Sequence, residues 1–227
     1  MYREIIRFTA CCKPTALSSG HQTMSSEQLS RLAAGFRGRG FQEITLFDSR
    51  KALCAAFEQE LANVDSVGFG GSVTTRELGL PAIARGLGKA VFDHWEPGVD
   101  KVTARQNQLS AGLFVTAVNA VTEDGIIVNA DGIGNRVAAS IFGPGNILFV
   151  VTENKIVKDV TEAIARIRTR ATPLNAKRLG VSPPCVSDMQ CHDCRGETRL
   201  DRVFVIHEYC PANTRFVIFI LNQPMGY

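Results

Sequence analysis

Apolar positions along this chain alternate between two rhythms. From Ser26 onward, Leu29, Leu32, Ala33 and Phe36 recur at helical spacing. Ser25 or Ser26 is placed to cap that helix, and Gly38 and Gly40 to end it. Phe41–Phe47 reads as a strand. A helix follows on Leu53, Ala56, Phe57 and Leu61, then a strand over Val64–Phe69 that runs into Gly70-Gly71. Helical spacing returns from Thr74, with Leu80, Ile83, Ala84 and Leu87 on one face. Pro81 either breaks that helix or opens its second half. Lys89–Phe92 reads as a short strand and Lys101–Leu109 as a helix. Gly112–Asn119 and Gly125–Asn129 read as strands about an Asp124-Gly125 turn. Ile133–Ile141 fits a short helix, Asn146–Thr152 a strand, and Lys158–Ile167 an amphipathic helix.

Strands alternating with helices predict an α/β fold, with a mostly parallel open sheet covered by helices on both faces. The last part departs from that rhythm. Residues 180–201 form a loop rich in Pro, Cys and Gly. Arg202–Tyr209 and Arg215–Leu221 then flank Cys210-Pro211-Ala212-Asn213, which predicts an antiparallel β-hairpin. The expected organisation is an irregular segment over residues 1–25 and an α/β domain over 26–180. A cysteine loop and hairpin over 181–227 belong to the same domain.

The 227 residues are enough for one sizeable core. A net charge of +3 gives no electrostatic case for nucleic acid. No apolar run approaches the roughly 18 residues of a membrane span. Arg3 and Arg7 are not followed by the apolar stretch of an export signal, so a cytoplasmic protein is expected. The seven cysteines are odd in number, which argues against a disulfide framework in that compartment.

Gly68-Phe69-Gly70-Gly71-Ser72-Val73-Thr74-Thr75 lies between a predicted strand and a predicted helix. Gly70 and Gly71 would let backbone N–H groups approach an anion, and Ser72, Thr74 and Thr75 would add hydroxyl donors. The plainer reading is a tight turn capped by Thr74. The spacing is neither that of a dinucleotide fingerprint nor that of a nucleotide P-loop. A second polar loop supplies Glu123, then Asn129, Asp131, Gly132, Asn135 and Arg136. Ligands of open α/β sheets sit at the carboxyl ends of strands, where such residues would meet one. Asp131 could equally be a helix cap. Glu123, Asp131 and His94, which closes a predicted strand, are the candidate acid/base groups.

Cys185, Cys191 and Cys194 fall within ten residues. Thiolates so spaced suit an iron–sulfur cluster or zinc. The fourth ligand would be Asp201, His192, Cys210 or none, and three reduced thiols in a loop is the plainer reading.

Taken together, these stretches resemble the LUD domain family, named for lactate utilisation, from about Ser26 to Tyr227. The likeness is carried by Val67–Leu80, Phe92–Gly98, Asn119–Ala139 continuing through Ile141–Gly145, Asn154–Lys158 and Asn175–Leu179. It is greatest to the single-domain branch with a C-terminal cysteine loop. The resemblance implies a fold like ribose-5-phosphate isomerase and the CoA transferases, with the glycine turn and the polar loop lining one cleft. It also implies a link to oxidation of L-lactate alongside iron–sulfur partner proteins. Asp201 stands where that branch would have a fourth cysteine. The stretch Asn222–Tyr227 lacks the acidic pair expected there, and residues 1–25 match nothing in the family.

Three functions follow. One is a redox-linked component of lactate or related hydroxy-acid utilisation that binds a small anion and a cluster. A second is a non-catalytic binding or assembly module, self-association included, with a structural metal or an unmetallated loop. A third is an isomerase- or transferase-like enzyme acting on a phosphorylated or CoA-linked acid.

Overall fold

A reciprocal cap opens the fold. Ser25 Oγ accepts the Gln28 N–H (3.2 Å), while Gln28 Oε1 accepts the Ser25 N–H (2.9 Å). The computed structural model describes residues 24–227, so all but the end of the segment expected to be irregular lies outside the described residues. Helix α1 (Ser26–Gly38) follows, then β1 (Glu43–Phe47), α2 (Arg50–Leu61) and β2 (Ser66–Phe69). Next come α3 (Val73–Glu77), α4 (Leu80–Gly86), β3 (Ala90–Asp93) and α5 (Lys101–Gln108). The predicted break between α3 and α4 falls at Gly79 (φ 71°), and Pro81 lies in the first turn of α4.

The chain continues through β4 (Leu113–Ala117), β5 (Ala120–Thr122), β6 (Ile127–Asp131), α6 (Asn135–Phe142), β7 (Asn146–Thr152) and β8 (Ile156–Val157). Helices α7 (Val160–Arg166) and α8 (Thr172–Leu179) are joined by a π-helical turn over Ile167–Ala171. A short α9 (Cys185–Asp188), β9 (Val203–His207) and β10 (Arg215–Leu221) complete the described elements.

Six strands form a wholly parallel sheet in the order β1-β10-β7-β4-β2-β3. Its two faces can be read from alternate residues. Leu148 and Val150 of β7, with Val217 and Phe219 of β10, pack under α2 and α4 on Leu53, Phe57, Leu61 and Leu80. Ile147, Phe149 and Val151, with Phe216, Ile218 and Ile220, face α1 and the second sheet on Leu32, Phe36, Val121 and Ile127. Each such fully buried side chain contributes about 1.5–3 kcal/mol relative to leaving it in water.

The second sheet, ordered β8-β5-β6-β9, departs from expectation. The Gly125 turn (φ 90°) joins β6 to β5, whereas β4 belongs to the main sheet. The predicted C-terminal hairpin does not form. β9 pairs antiparallel with β6, and β10 inserts between β1 and β7 of the main sheet. The physical reason lies in burial. Positions 216–221 are apolar throughout and buried on both faces, which suits a central parallel strand rather than one arm of a hairpin.

Candidate functional site

The main-sheet strands direct their carboxyl ends toward one side, and the loops that leave them enclose a cleft of about 210 Å³. The Gly70–Thr74 turn follows β2, and His94-Trp95 follows β3. Asn119 follows β4, Lys155 follows β7, and Tyr227 lies beyond β10. The Asp131–Arg136 loop and α8 close the remaining walls. This is the place where open α/β sheets bind ligands.

Three arginines, Arg105, Arg136 and Arg178, line the cleft together with the amine of Lys155. Asp131 is the only Asp or Glu side chain among the described lining residues. Arg178 lies 4.0 Å from the Trp95 ring centroid, a cation–π contact that holds it at the rim. Burial draws its pKa below the usual value for arginine, and the neighbouring Tyr227 opposes that shift. The buried Nε of Arg105 has no protein partner among the described residues.

The glycine turn is shaped by packing. A Cβ on Gly70 would lie 2.7 Å from the Phe114 ring and 2.9 Å from Arg136 Cγ. Gly71 has φ 72°, and a Cβ there would lie 2.9 Å from both the His94 and Trp95 rings. Ser72, not Thr74, caps α3, and its Oγ accepts the Thr75 N–H (3.4 Å). Thr75 Oγ1 donates back to the Ser72 carbonyl (2.9 Å). Thr74 Oγ1 donates to the Met225 carbonyl (3.4 Å) and accepts from Lys155 Nζ (2.6 Å). The hydroxyls of Thr74 and Thr75 therefore already donate internally, whereas that of Ser72 is engaged as an acceptor.

His94 is buried, and its tautomer is set by Gln108. The amide nitrogen of Gln108 donates to the carbonyls of Phe69 (2.7 Å) and Phe92 (3.2 Å), which fixes the orientation of that amide. Its contact with His94 Nδ1 (3.0 Å) is therefore a donation to the ring, which leaves the imidazole proton on Nε2. Burial, followed by the nearby Arg105 charge, lowers the His94 pKa to about 4. At neutral pH the cleft thus holds an uncharged imidazole.

The other predicted residues divide. Asp131 borders the cleft, but its carboxylate accepts the N–H groups of Arg136 (3.0 Å) and Val137 (3.4 Å) in the first turn of α6. Asn135 donates to Gln108 Oε1 (3.2 Å), and a Cβ on Gly132 would lie 3.1 Å from the Leu200 carbonyl oxygen. Arg136 is buried and donates to Asn119 Oδ1 (2.7 Å) and to the carbonyls of Ala117 and Ala130. Asn129 lies outside the cleft, where its Oδ1 accepts the Asn119 N–H (2.8 Å) and ties β6 to the end of β4. Glu123 also lies apart. It is exposed on the β5–β6 turn, where its N–H donates to Val157 (2.8 Å), so it cannot serve chemistry in this cleft.

Lys155 is 3% exposed and was not among the predicted site residues. Burial lowers its pKa well below the usual range for lysine. The Arg166 and Arg136 charges add to that effect, and Glu77 opposes it. Its sequence signal was modest: a lysine just beyond an apolar strand, inside Asn154–Lys158.

The cysteine loop borders a separate hollow of about 20 Å³, which adjoins the cleft across Thr172 and Leu200. Cys185, Cys191, Cys194 and Asp201 all line it. Burial raises the Cys185 pKa, and nearby Cys194 adds to the shift. Cys210 lies elsewhere, with its N–H on the Arg39 carbonyl (2.9 Å), and His192 Nε2 pairs with Asp188 (2.9 Å). Asp201 is held by Arg199 (3.3 Å) and Arg168 (3.5 Å). Sulfur donors suit zinc or an iron–sulfur cluster. Among the described residues, no three His, Cys, Asp or Glu side chains are gathered closely enough to hold a metal ion. No helix among the described residues is long and apolar enough to cross a membrane.

Comparison with known proteins adds three findings. The LUD domain family matches residues 30–221. One similar solved structure is the crystal structure of a DUF162 family protein from Deinococcus radiodurans. It is 19% identical, with 86% of this chain and 96% of that chain covered and a TM-score of 0.49. No curated protein matches the chain.

Proposed function

The chain belongs to the LUD domain family, and from that premise we propose that it binds a small hydroxy or oxo acid of the lactate–pyruvate class in the cleft. The observation that carries this reading is the charge of the walls, with three arginines set against the single carboxylate side chain of Asp131. An organic anion offsets that imbalance.

The inner cleft holds about 210 Å³, below the roughly 300–1,000 Å³ of sites for drug-sized molecules, and a three-carbon acid fits within it. Past His94, Trp95, Arg105 and Arg178 it adjoins a more open hollow of about 610 Å³. The uncharged His94 offers its Nε2–H to a hydroxyl or carbonyl oxygen, and the arginines attract the carboxylate. Participation in lactate or related hydroxy-acid utilisation follows from joining this chemistry to the family's name.

The test is a thermal-shift and calorimetry series on the full chain with L-lactate, pyruvate and glycolate, set against phosphate, sugar phosphates and CoA esters. Stabilisation by the short acids alone supports the reading. Stabilisation confined to sugar phosphates or CoA esters would replace it with the isomerase- or transferase-like alternative. No stabilisation by any of them would leave the binding or assembly module.

A further inference from the structure

We propose that Lys155 is an imine-forming lysine, whose ε-amine condenses with the carbonyl of a 2-oxo acid held in the cleft. The proposal rests on the small-acid reading above and deepens it, because it assigns the oxo form of the ligand a covalent partner.

Lys155 closes the 3₁₀ turn Glu153–Lys155 directly after β7, so its backbone is anchored to the centre of the main sheet. Its side chain borders the cleft and is almost wholly removed from solvent. Nζ donates to one atom, Thr74 Oγ1 (2.6 Å). Among the described residues, no carboxylate pairs with it within 4.0 Å. A purely structural role would be costly. A buried ammonium without a counter-charge is destabilising by several kcal/mol, and an apolar side chain of similar volume would fill the space better. The neighbouring charges point the same way. Arg166 and Arg136 bear on the amine, and Glu77 is the acidic group acting on it. Desolvation beside other cations is how proteins keep a lysine uncharged and nucleophilic at neutral pH.

The step balances without an oxidant. The Nζ lone pair adds to the carbonyl carbon, and the C=O π electrons move to oxygen, which takes up a proton. The resulting carbinolamine loses that oxygen as water. The nitrogen gives up its two hydrogens overall, and a C=N bond replaces C=O. Lysine plus 2-oxo acid thus becomes imine plus one water. L-Lactate lacks a carbonyl, so it occupies the cleft without condensing.

The experiment treats the full chain with pyruvate and sodium cyanoborohydride, then maps adducts by intact and peptide mass spectrometry. Each unit by which a lysine pKa falls raises its uncharged fraction at neutral pH about tenfold, so Lys155 should be labelled at least about tenfold faster than the exposed lysines. Labelling should saturate with pyruvate, be suppressed by L-lactate and vanish in Lys155→Met and Lys155→Arg. Thermal stabilisation by pyruvate with labelling spread evenly over surface lysines would overturn this inference and leave the small-acid reading standing. Absence of stabilisation by every short acid, with no adduct at Lys155, would overturn both. The wild-type adduct map decides the matter even if a variant fails to fold.

Discussion

The side-chain amide of Gln108 meets Nδ1 of His94 at 3.0 Å while also donating to the carbonyls of Phe69, which ends β2, and of Phe92, within β3. One residue on α5 thereby sets the spacing of two strand ends and the tautomer of the ring between them. Gln108→Leu is expected to cost about 2–3 kcal/mol by equilibrium denaturation, because buried carbonyls lose their donor. It should also weaken acid binding, since His94 loses its orientation.

His94 makes stability dependent on pH. Its pKa is about 4 in the folded chain and near 6.5 once exposed. Between those values the unfolded chain binds a proton that the folded chain does not, so stability falls as pH drops through that window. Unfolding midpoints taken across it should decline for the native chain and decline less for His94→Gln. Equal slopes would show that other groups govern the acid response.

Gly71→Ala should destabilise the chain by about 1–3 kcal/mol, the usual cost of a non-glycine residue at an unfavourable positive φ. The added methyl also pushes on His94 and Trp95. Acid affinity in calorimetry should therefore fall by more than the stability loss explains. A variant that is destabilised but binds normally would separate the turn from the cleft's function.

Asp131 borders the cleft, yet its hydrogen bonds are those of a helix cap. Asp131→Ala should cost about 1 kcal/mol, as cap removal does, whereas Asp131→Asn should cost less. Because Asp131 is the only described carboxylate side chain of the lining, Asp131→Asn should tighten acid binding. Loss of binding in that variant would show instead that the carboxylate itself contacts the ligand.

Cys191 is exposed and Cys194 half-buried. Replacing both with serine should lower the unfolding temperature by no more than about 2 °C, as surface changes away from special features do. A fall of many degrees, or stoichiometric zinc or iron with sulfide in anaerobically purified protein, would show that the thiols close on a metal.

The sequence made most of the helices and parallel strands legible because their apolar periods are long and unmixed. Leu29, Leu32, Ala33 and Phe36 could only be one face of a helix. The second sheet was hidden because β5 is three residues long and β8 two, too short to carry a period. His94, Asp131 and the glycine turn were legible as cleft residues because strand ends announce themselves in sequence. Glu123 looked equivalent to Asp131, but it sits at the opposite end of a hairpin. Arg105, Lys155 and Arg178 reach the cleft from three separate elements, and only folding brings them together.

Strand β10 separates β1 from β7, so neighbours in the finished sheet are about 170 residues apart in sequence, as in the pairing of Glu43 with Val217. During synthesis, β1 has no main-sheet partner and β7 lacks one edge partner until residue 221 has left the ribosome. Such high contact order slows folding and leaves apolar edges open to other chains. Nascent-chain yield should therefore depend on chaperone supply far more than the stability of the finished protein would suggest.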